Sequence, residues 1–393
     1  MRKCVLPIIM SAIIILSAGA GVFGSGSAIV PDMNFVGEPV KLSLTQAVEA
    51  MQTTSSRADT AALNKAADEA VAKGYKESAQ SISDFIEKMK GGGIAGTAMA
   101  EAQGATELNE KITKIRRDFA NGQLEANYKA ELNEIEAATI KIYYGILLAE
   151  ENLKVAKDNL ANQKAIYQNV MKKYKLGTVA KIDTLAAETS VATAEDQMKS
   201  SETAVKNAKM SLNLLLGYDL MQEVTVTDKL QMVKEPEGSL TGFIESAIKS
   251  RNEIRGAALA VQIQDMMLTN LKYRYPTNSS TYLKQEAATL QAKKALEDAP
   301  LQIEMDIRSR YMDVADKKRA VIVAEANLKN AKEGYRIATI SYNAGVNTLT
   351  DVQTAQINSF RAAQGVAAAV NDYDLAVYEF KHAIDVGTSR LPL

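Results

Sequence analysis

The residues that most often do chemistry in proteins are scarce in this sequence. Its 393 residues include one His, His382, and one Cys, Cys4. These two cannot by themselves build a zinc site, an iron–sulfur site or a Cys–His pair within one chain. The carboxylates of Glu150 and Glu151 lie among basic residues at helical spacing, which is typical of a solvated helix face. We therefore expect no enzyme activity, no metal site and no cofactor.

Charge and composition exclude further classes of protein. With 46 Lys and Arg against 47 Asp and Glu, the chain has no basic surplus with which to neutralise nucleic-acid phosphates. Hydrophobic residues make up 47% of the chain, which is too apolar for a disordered protein. Ala dominates long stretches and only seven prolines occur, so long helices are favoured over a sheet sandwich.

The first 28 residues have the order of a secretory signal peptide. Arg2 and Lys3 precede an apolar run at residues 5–18, and small residues follow it. The run is shorter than the roughly 20 residues of a membrane-spanning helix. We expect cleavage after Ala20 or Ala28 and an exported protein, with an uncleaved anchor as the alternative.

The elements that position the remaining candidates come from an internal repeat. Thirteen positions between Tyr143 and Ala208 match the positions 168 residues later, twelve as identical residues and one as Val for Leu. Ser-Leu-Thr at 43–45 recurs at 239–241, an offset of 196, so the first copy carries 28 extra residues. The predicted domains are a signal peptide (1–28), a first helical repeat (29–220), a linker (221–238), a second helical repeat (239–388) and a tail (389–393).

Each copy has the apolar period of a coiled-coil hairpin. Over residues 153–174, small and apolar residues alternate at spacings of three and four, and the pattern resumes over 184–215 after a Gly-containing loop. A period of about 3.5 residues indicates a supercoiled seam, so each copy is predicted to form two long antiparallel helices. In the first copy we expect the arms over about residues 105–175 and 182–216. Such Ala-rich seams bury little apolar area alone, so the hairpins need neighbours.

The hairpin tips carry the most specific motif. Both contain Tyr-x-x-Gly with an Asp six residues after the Gly, and the first returning arm ends in Leu-Leu-Leu-Gly-Tyr-Asp at 214–219. Together with the two-copy layout, these motifs resemble the TolC-type outer-membrane efflux protein family, most closely over residues 143–219 and 311–387. The resemblance implies a homotrimer whose paired hairpins form one helical tunnel. It also implies that the tips dock onto a periplasmic adaptor of the membrane-fusion type, which serves an inner-membrane pump.

The resemblance further implies functional positions near the tips. Asp351 would lie among acidic residues that narrow the tunnel, Asp183 is its equivalent in the first copy, and Thr354 stands where a second acid can occur. The constriction should therefore carry less charge than in family members that have the second acid. The alternative for both aspartates is helix capping, since Thr-Asp-Val-Gln at 350–353 fits a capping box. The tip positions expected to contact the adaptor are Gly177, Thr178, Val179, Gly345, Val346 and Asn347.

One departure from that family concerns membrane strands. A spanning strand needs about 9–11 residues of alternating polarity, and only residues 273–282 are strand-like. Residues 51–105 are Ala, Ser, Lys and Glu at helical spacing, interrupted by glycines at 91–93, and this composition disfavours strands. The predicted fold is all-α, with two tandem coiled-coil hairpins, helical from end to end, and little or no β-barrel. The distal end should be closed by helical turns near Gly91 and Pro276, in an aqueous compartment.

Two functions from different classes follow from these observations. The first is a TolC-like efflux component, a trimeric helical tunnel across the cell envelope that works with an adaptor and a pump. The second is a non-conducting coiled-coil scaffolding protein of the envelope. The repeat and the tips favour the first function, and the missing strands favour the second. The expected location is the outer membrane by resemblance, or a periplasmic or extracytoplasmic compartment without direct membrane insertion if the barrel is absent.

Overall fold

The computed structural model describes residues 35–393, and the predicted signal peptide at 1–28 lies outside them. Helices dominate the described part of the chain, which confirms the all-α prediction. In chain order, the elements are β1 (Val36–Leu42), α1 (Leu44–Thr53), α2 (Ser56–Lys90), α3 (Gly93–Ala102), α4 (Glu107–Lys175), α5 (Lys181–Leu216), β2 (Gln222–Val226), α6 (Leu240–Ser250), α7 (Asn252–Arg274), α8 (Ser280–Asn343) and α9 (Leu349–Ile384).

The two copies of the repeat begin with the same capped helix. The Ser43 side chain accepts a hydrogen bond from the backbone of Gln46 at the start of α1, and Ser239 accepts one from Gly242 at the start of α6. Such caps satisfy amide groups that the helix itself leaves free, each contributing about 1 kcal/mol. The extra residues of the first copy form α3 and lengthen α2, which has 35 residues against 23 in α7.

The long hairpins of the two copies lie side by side. Helix α4 has 69 residues and α8 has 64, so each is about 100 Å long, and their partners α5 and α9 have 36 residues each. Helix α4 packs against both α5 and α9, and α8 packs against α9. The four helices therefore form a row in the order α5, α4, α9, α8, and the arms match the predicted hairpins.

The largest buried side chains gather where α1 and α6 pack onto these hairpins. Tyr143 of α4 is fully buried in the first copy, together with Met51 of α1. In the second copy, Phe380 of α9 meets Phe243 of α6 edge-on, with ring centroids 5.3 Å apart. The seams nearer the tips consist mainly of smaller residues. The aromatic side chains buried beside α1 and α6 therefore hold the long helices together.

Two short strands correct the prediction of a chain that is helical from end to end. Strand β1 pairs in parallel with β2, with Val40 opposite Val224 and Leu42 opposite Val226. The Val-Thr-Val run of β2 suits a strand because β-branched residues pack well on a pleated surface. Its partner β1 lies in the segment that the sequence assigned to the first helical repeat. Because β1 and β2 are far apart in the chain, no local periodicity shows that they pair.

The segments in which membrane strands were considered are helical or form turns. Residues 51–105 fall largely in α2 and α3, and the glycines at 91–93 make the predicted turn between them. The strand-like segment 273–282 divides between the end of α7, a turn, and the start of α8. Among residues 35–393, no helix is sufficiently long and apolar to cross a bilayer.

The linker after β2 is attached to both copies. Asp228 accepts hydrogen bonds from the backbone of Leu44 and the hydroxyl of Tyr143, both at 2.7 Å. Farther along, the Val233 amide donates to Asp374 of α9 at 2.8 Å. Asp374 is buried, and burial raises its pKa to about 6. The linker is thus hydrogen-bonded to the base of the first hairpin and to the base of the second.

The tail is also fixed in place by polar contacts. Asn127 of α4 bonds the backbone of Leu391 through both its amide oxygen and its amide nitrogen, at 3.0 and 2.9 Å. Arg390 forms an ion pair with Asp68 of α2 at 2.8 Å, and Asn252 of α7 donates to the carbonyl of Ser389. The residues after α9 therefore hold α2, α4 and α7 together.

Candidate functional site: the paired hairpin tips

Both hairpins turn through the same backbone motif. In the first tip, Gly177 N–H donates to the carbonyl of Tyr174 and Thr178 N–H to that of Lys173, at 2.9 and 3.0 Å. In the second tip, Gly345 and Val346 make the equivalent bonds at 3.1 and 2.9 Å. This pair of bonds is the Schellman motif, which needs a left-handed residue after the helix. The two glycines have φ of 72° and 78°, which explains the repeated Tyr-x-x-Gly.

The two candidate gate aspartates both bond to the starts of their helices. Asp351 Oδ2 accepts hydrogen bonds from the backbone and hydroxyl of Thr348, at 2.9 and 2.8 Å, and Thr348 Oγ1 accepts from Asp351 N–H at 3.2 Å. These bonds from Thr348 lower the pKa of Asp351. Asp183 accepts from the backbone of Ala180 at 3.1 Å, although Ala supplies no side-chain cap in return.

The predicted capping is therefore present, but its register was wrong. The N-cap of α9 is Thr348 and Asp351 is the third helical residue, so the box spans 348–351 instead of 350–353. The short Schellman turn places the N-cap at Thr348, two residues before the predicted cap at Thr350, so that α9 begins at Leu349. Asp351 is exposed, as is Thr354 one turn farther along α9, whereas Asp183 is half-buried. Although Asp351 caps the helix, its carboxylate is exposed, so its negative charge can still attract or repel other charged groups.

The six predicted docking residues lie at the extreme end of the hairpins. Gly177, Thr178, Gly345 and Val346 are exposed, and Val179 and Asn347 are half-buried. A Cβ built on either glycine would meet nothing within 4 Å, so these positions are open to a partner. The structure brings the two tips together at the same end of the molecule.

A contact between the tips was not predicted from the sequence. Lys173 Nζ lies 3.7 Å from the centroid of the Tyr342 ring and donates to the Tyr342 carbonyl at 3.1 Å. Burial raises the pKa of Tyr342, and the negative charge of nearby Asp183 raises it further. Asn169 and Asn343 bond through their amide groups at 3.1 Å. The two hairpins therefore form one unit at their tips.

A small apolar core supports this unit. Val170 of α4 and Ala187 of α5 pack with Leu349 and Val352 of α9 and with the ring of Tyr342. The equivalent tyrosine of the first copy, Tyr174, is exposed instead. One sequence difference that accompanies this asymmetry is Lys173, whose counterpart in the second copy is Ser341.

The charges of the two tips differ strongly. The first tip carries Lys172, Lys173, Lys175 and Lys181, whereas residues 337–350 of the second tip contain no charged side chain. The positively charged side chains at the paired tips therefore belong to the first hairpin, and the second tip is neutral over residues 337–350.

Elsewhere in residues 35–393, no group of three or more His, Cys, Asp and Glu side chains could hold a metal ion. A groove of about 960 Å³ lies between α4, α8, α9 and the linker, with both acidic and basic side chains along it.

Comparisons with known proteins agree with this arrangement. Residues 273–384 match the family model described as outer membrane efflux protein. None of the curated proteins matches the sequence. The solved structure of CusC is 11% identical with a TM-score of 0.66, covering 88% of this chain and 92% of CusC.

Two further solved structures have the same fold. VceC from Vibrio cholerae is 13% identical with a TM-score of 0.60, covering 88% of this chain and 97% of VceC. The CmeC outer membrane channel of Campylobacter jejuni is 16% identical with a TM-score of 0.54, covering 71% and 68% of the two chains. The family match in the second copy and this shared fold confirm the resemblance found in the tip motifs.

Proposed function

We propose that this protein is one subunit of a trimeric efflux duct. Its fold is that of the TolC-type efflux channels, and residues 273–384 in its second copy match the family model of outer membrane efflux proteins. In this proposal it is a passive conduit in the cell envelope and not an enzyme. It works with an adaptor that binds the hairpin tips and with a pump that supplies the transported molecules. The observation that carries the proposal is an apolar stripe along the outer helix of the four-helix row.

The stripe runs along α8, the helix that ends the row. Its members are exposed although each has a large apolar side chain, and exposed apolar surface that continues along a helix marks an interaction site. At 100° of rotation per residue, they all fall within a sector of about 60° on α8. They are Leu283, Leu290, Leu301, Met305, Met312, Val323 and Ile337.

A ring of identical copies would cover this stripe. The row of four helices has two different edges, α8 at one side and α5 at the other. If α8 of one copy packs against α5 of the next, the contact is head-to-tail, and such contacts generate closed rings when the rotation fits. Three copies would then enclose a lumen with the paired tips at one end.

The exposed Asp351 gives such a ring a constriction. In the proposed trimer, the Asp351 carboxylates of the three copies face the axis and repel one another unless cations lie between them. The bonds from Thr348 lower the pKa of Asp351, so the carboxylates stay ionised. Asp183 is half-buried beside the second tip and contributes less to the field on the axis.

The charge difference between the tips indicates the kind of surface that the adaptor presents. Four lysines mark the first tip and none the second, so the adaptor should be acidic opposite the first tip and apolar or neutral opposite the second. Lys172→Glu with Lys175→Glu should weaken adaptor binding. Lys157→Glu, on an exposed part of α4 well away from the tip, should not.

The experiment that tests the ring is sedimentation of the purified protein. Wild-type protein should sediment as a trimer. Met305→Glu with Met312→Glu places two charges in each proposed contact and should give monomers, because charges buried without partners are costly. The matched control is Leu63→Glu with Val71→Glu on α2, two exposed apolar positions outside the stripe, which should remain trimeric.

Three results would count against parts of the proposal. Monomeric wild-type protein at micromolar concentration would remove the ring. A trimer that survives both glutamates in α8 would place the contact elsewhere. A trimer that restores no export beside its pump would instead favour the non-conducting scaffold.

A further inference from the structure

The end of the molecule opposite the tips has its own exposed surface. The turn between α2 and α3 lies there, as does the turn between α7 and α8. Arg274, the last residue of α7, pairs with Glu101 near the end of α3 at 2.7 Å. This ion pair joins the end of α3 to the end of α7, and we call α3 and these two turns together the distal end.

Helix α3 lies at the distal end, and all but two of its residues, Thr97 and Glu101, are apolar or Gly. No charged residue occurs over residues 91–100, yet the side chain of Ile94 is 91% exposed and that of Met99 is 54% exposed. Helix α3 packs through the buried Gly96 and Ala100. A Cβ on Gly96 would lie 2.0 Å from the carbonyl oxygen of Met89, so only Gly allows α3 to lie so close to α2.

The residues around α3 suit the surface of a lipid bilayer. Tyr273 in the last turn of α7 is 85% exposed and Tyr275, which follows that helix, is 45% exposed. Tyr is enriched where membrane and water meet. Lys88 and Lys90 lie in the last turn of α2, just before α3, Lys272 lies in the last turn of α7, and all three are exposed. Within residues 35–393 these three lysines form no ion pair. Lysines beside a shallow apolar surface are typical of segments that bind anionic lipid headgroups.

We propose that the distal end lies in the interfacial layer of a bilayer that contains anionic lipids. Ile94 and Met99 enter the acyl boundary, the two tyrosines lie at the level of the headgroups, and the three lysines face lipid phosphates. Helix α3, whose single charged residue Glu101 is paired with Arg274, is too short to span a bilayer but has the length of a segment lying along its surface. This differs from the sequence-based expectation of a distal end in water, because the sequence does not show that α3 exposes its apolar side chains.

A second copy of the chain is a less suitable occupant for this surface. The stripe on α8 already offers a long lateral contact between copies, whereas the distal end is formed by turns at the ends of the helices. The lysines around α3 would repel one another if three distal ends met. A lipid surface instead supplies both an apolar layer and opposite charge.

The experiment uses the absence of Trp from the sequence. Met99→Trp places one fluorescent reporter at the distal end, and Leu63→Trp places a control reporter on an exposed position of α2. With vesicles of phosphatidylcholine and phosphatidylglycerol, the emission of the Met99→Trp protein should shift to the blue and that of the Leu63→Trp protein should not change. Vesicles of phosphatidylcholine alone, or added salt, should weaken the shift, because the lysines then lose their partners.

A second variant ties binding to the apolar side chains. Ile94→Gln with Met99→Gln should reduce vesicle partitioning of the full chain by roughly tenfold or more, as expected for removing two large apolar groups from a lipid contact. Its helix content should match that of the wild type, because both side chains are exposed. Equal partitioning of wild-type and variant protein would overturn the proposal. So would a change in oligomeric state caused by this variant, since the distal end would then be a contact between copies.

Discussion

Replacing Asp374 with Asn should change how the stability of the protein depends on pH. Asp374 lies on α9 and its side chain is buried. Its Oδ1 accepts a hydrogen bond from the Val233 amide at 2.8 Å, and Oδ2 has no hydrogen-bond partner among residues 35–393. Burial raises the pKa of Asp374 from 3.8 to about 6. The phenols of Tyr144 and Tyr378 lie nearby.

The size of the effect follows from this shift in pKa. Between about pH 4 and pH 6 the folded protein holds a proton that the unfolded chain has released. The stability contributed by protonated Asp374 is therefore present at about pH 4 and is lost as the pH rises past about 6. A shift of about two units corresponds to about 3 kcal/mol. The amide of the Asp374→Asn variant cannot ionise, so the variant lacks this dependence.

The assay is urea unfolding of both proteins at about pH 4.5 and at about pH 7.5, on either side of the raised pKa, followed by the circular dichroism of the helices. The amide of Asn places an NH2 where Oδ2 lacks a partner, which costs about 1–3 kcal/mol at either pH. The informative quantity is the change with pH. From about pH 4.5 to about pH 7.5 the variant should gain about 2 kcal/mol of stability relative to wild type, because the unfolded carboxyl is already largely ionised at about pH 4.5.

The control is Asp372→Asn, an exposed aspartate two residues earlier on the same helix. Its difference from wild type should be nearly the same at both pH values. If Asp374→Asn also shows a constant difference, the carboxyl group is ionised in the folded protein at both conditions. The reasoning from burial would then be refuted.

Four further predictions concern the tips. Gly345→Leu should lower the free energy of unfolding by about 1–2 kcal/mol, because φ is 78°, and should weaken pump-dependent export without unfolding the chain; unaffected export would mean that docking occurs elsewhere. Lys173→Met should speed amide hydrogen exchange at the second tip, and Lys175→Met, which leaves the contact between Lys173 and Tyr342 intact, should not. Thr348→Ala should cost about 1 kcal/mol on urea unfolding. Asp351→Asn should preserve stability but lower the cation preference of a reconstituted duct, and unchanged selectivity would leave Asp351 as a cap alone.

The long helices could be predicted because their signals are local. The 3.5-residue period and the internal repeat placed α4, α5, α8 and α9 closely, and Ser43 and Ser239 marked where each copy starts. Strand β1 could not be predicted, because its pairing with β2 joins segments that are far apart in the chain, such as Val40 and Val224. Local composition carries no information about such a partner.

The tips show the same limit at the level of single residues. Tyr174 and Tyr342 occupy identical places in the repeat, yet the first is exposed and the second is buried beneath Lys173. This difference arises where one hairpin packs against the other, and a repeat within one chain does not encode that asymmetry. The capping box was displaced by two residues for a related reason, since the length of the Schellman turn decides where α9 begins.

End-on electron microscopy of the purified full chain would show whether three copies close into a ring around a lumen. We expect particles with threefold symmetry in which paired hairpins surround a solvent-filled centre, with the tips at one end. Particles of a single copy, or a symmetric assembly whose centre is filled with protein, would contradict this expectation.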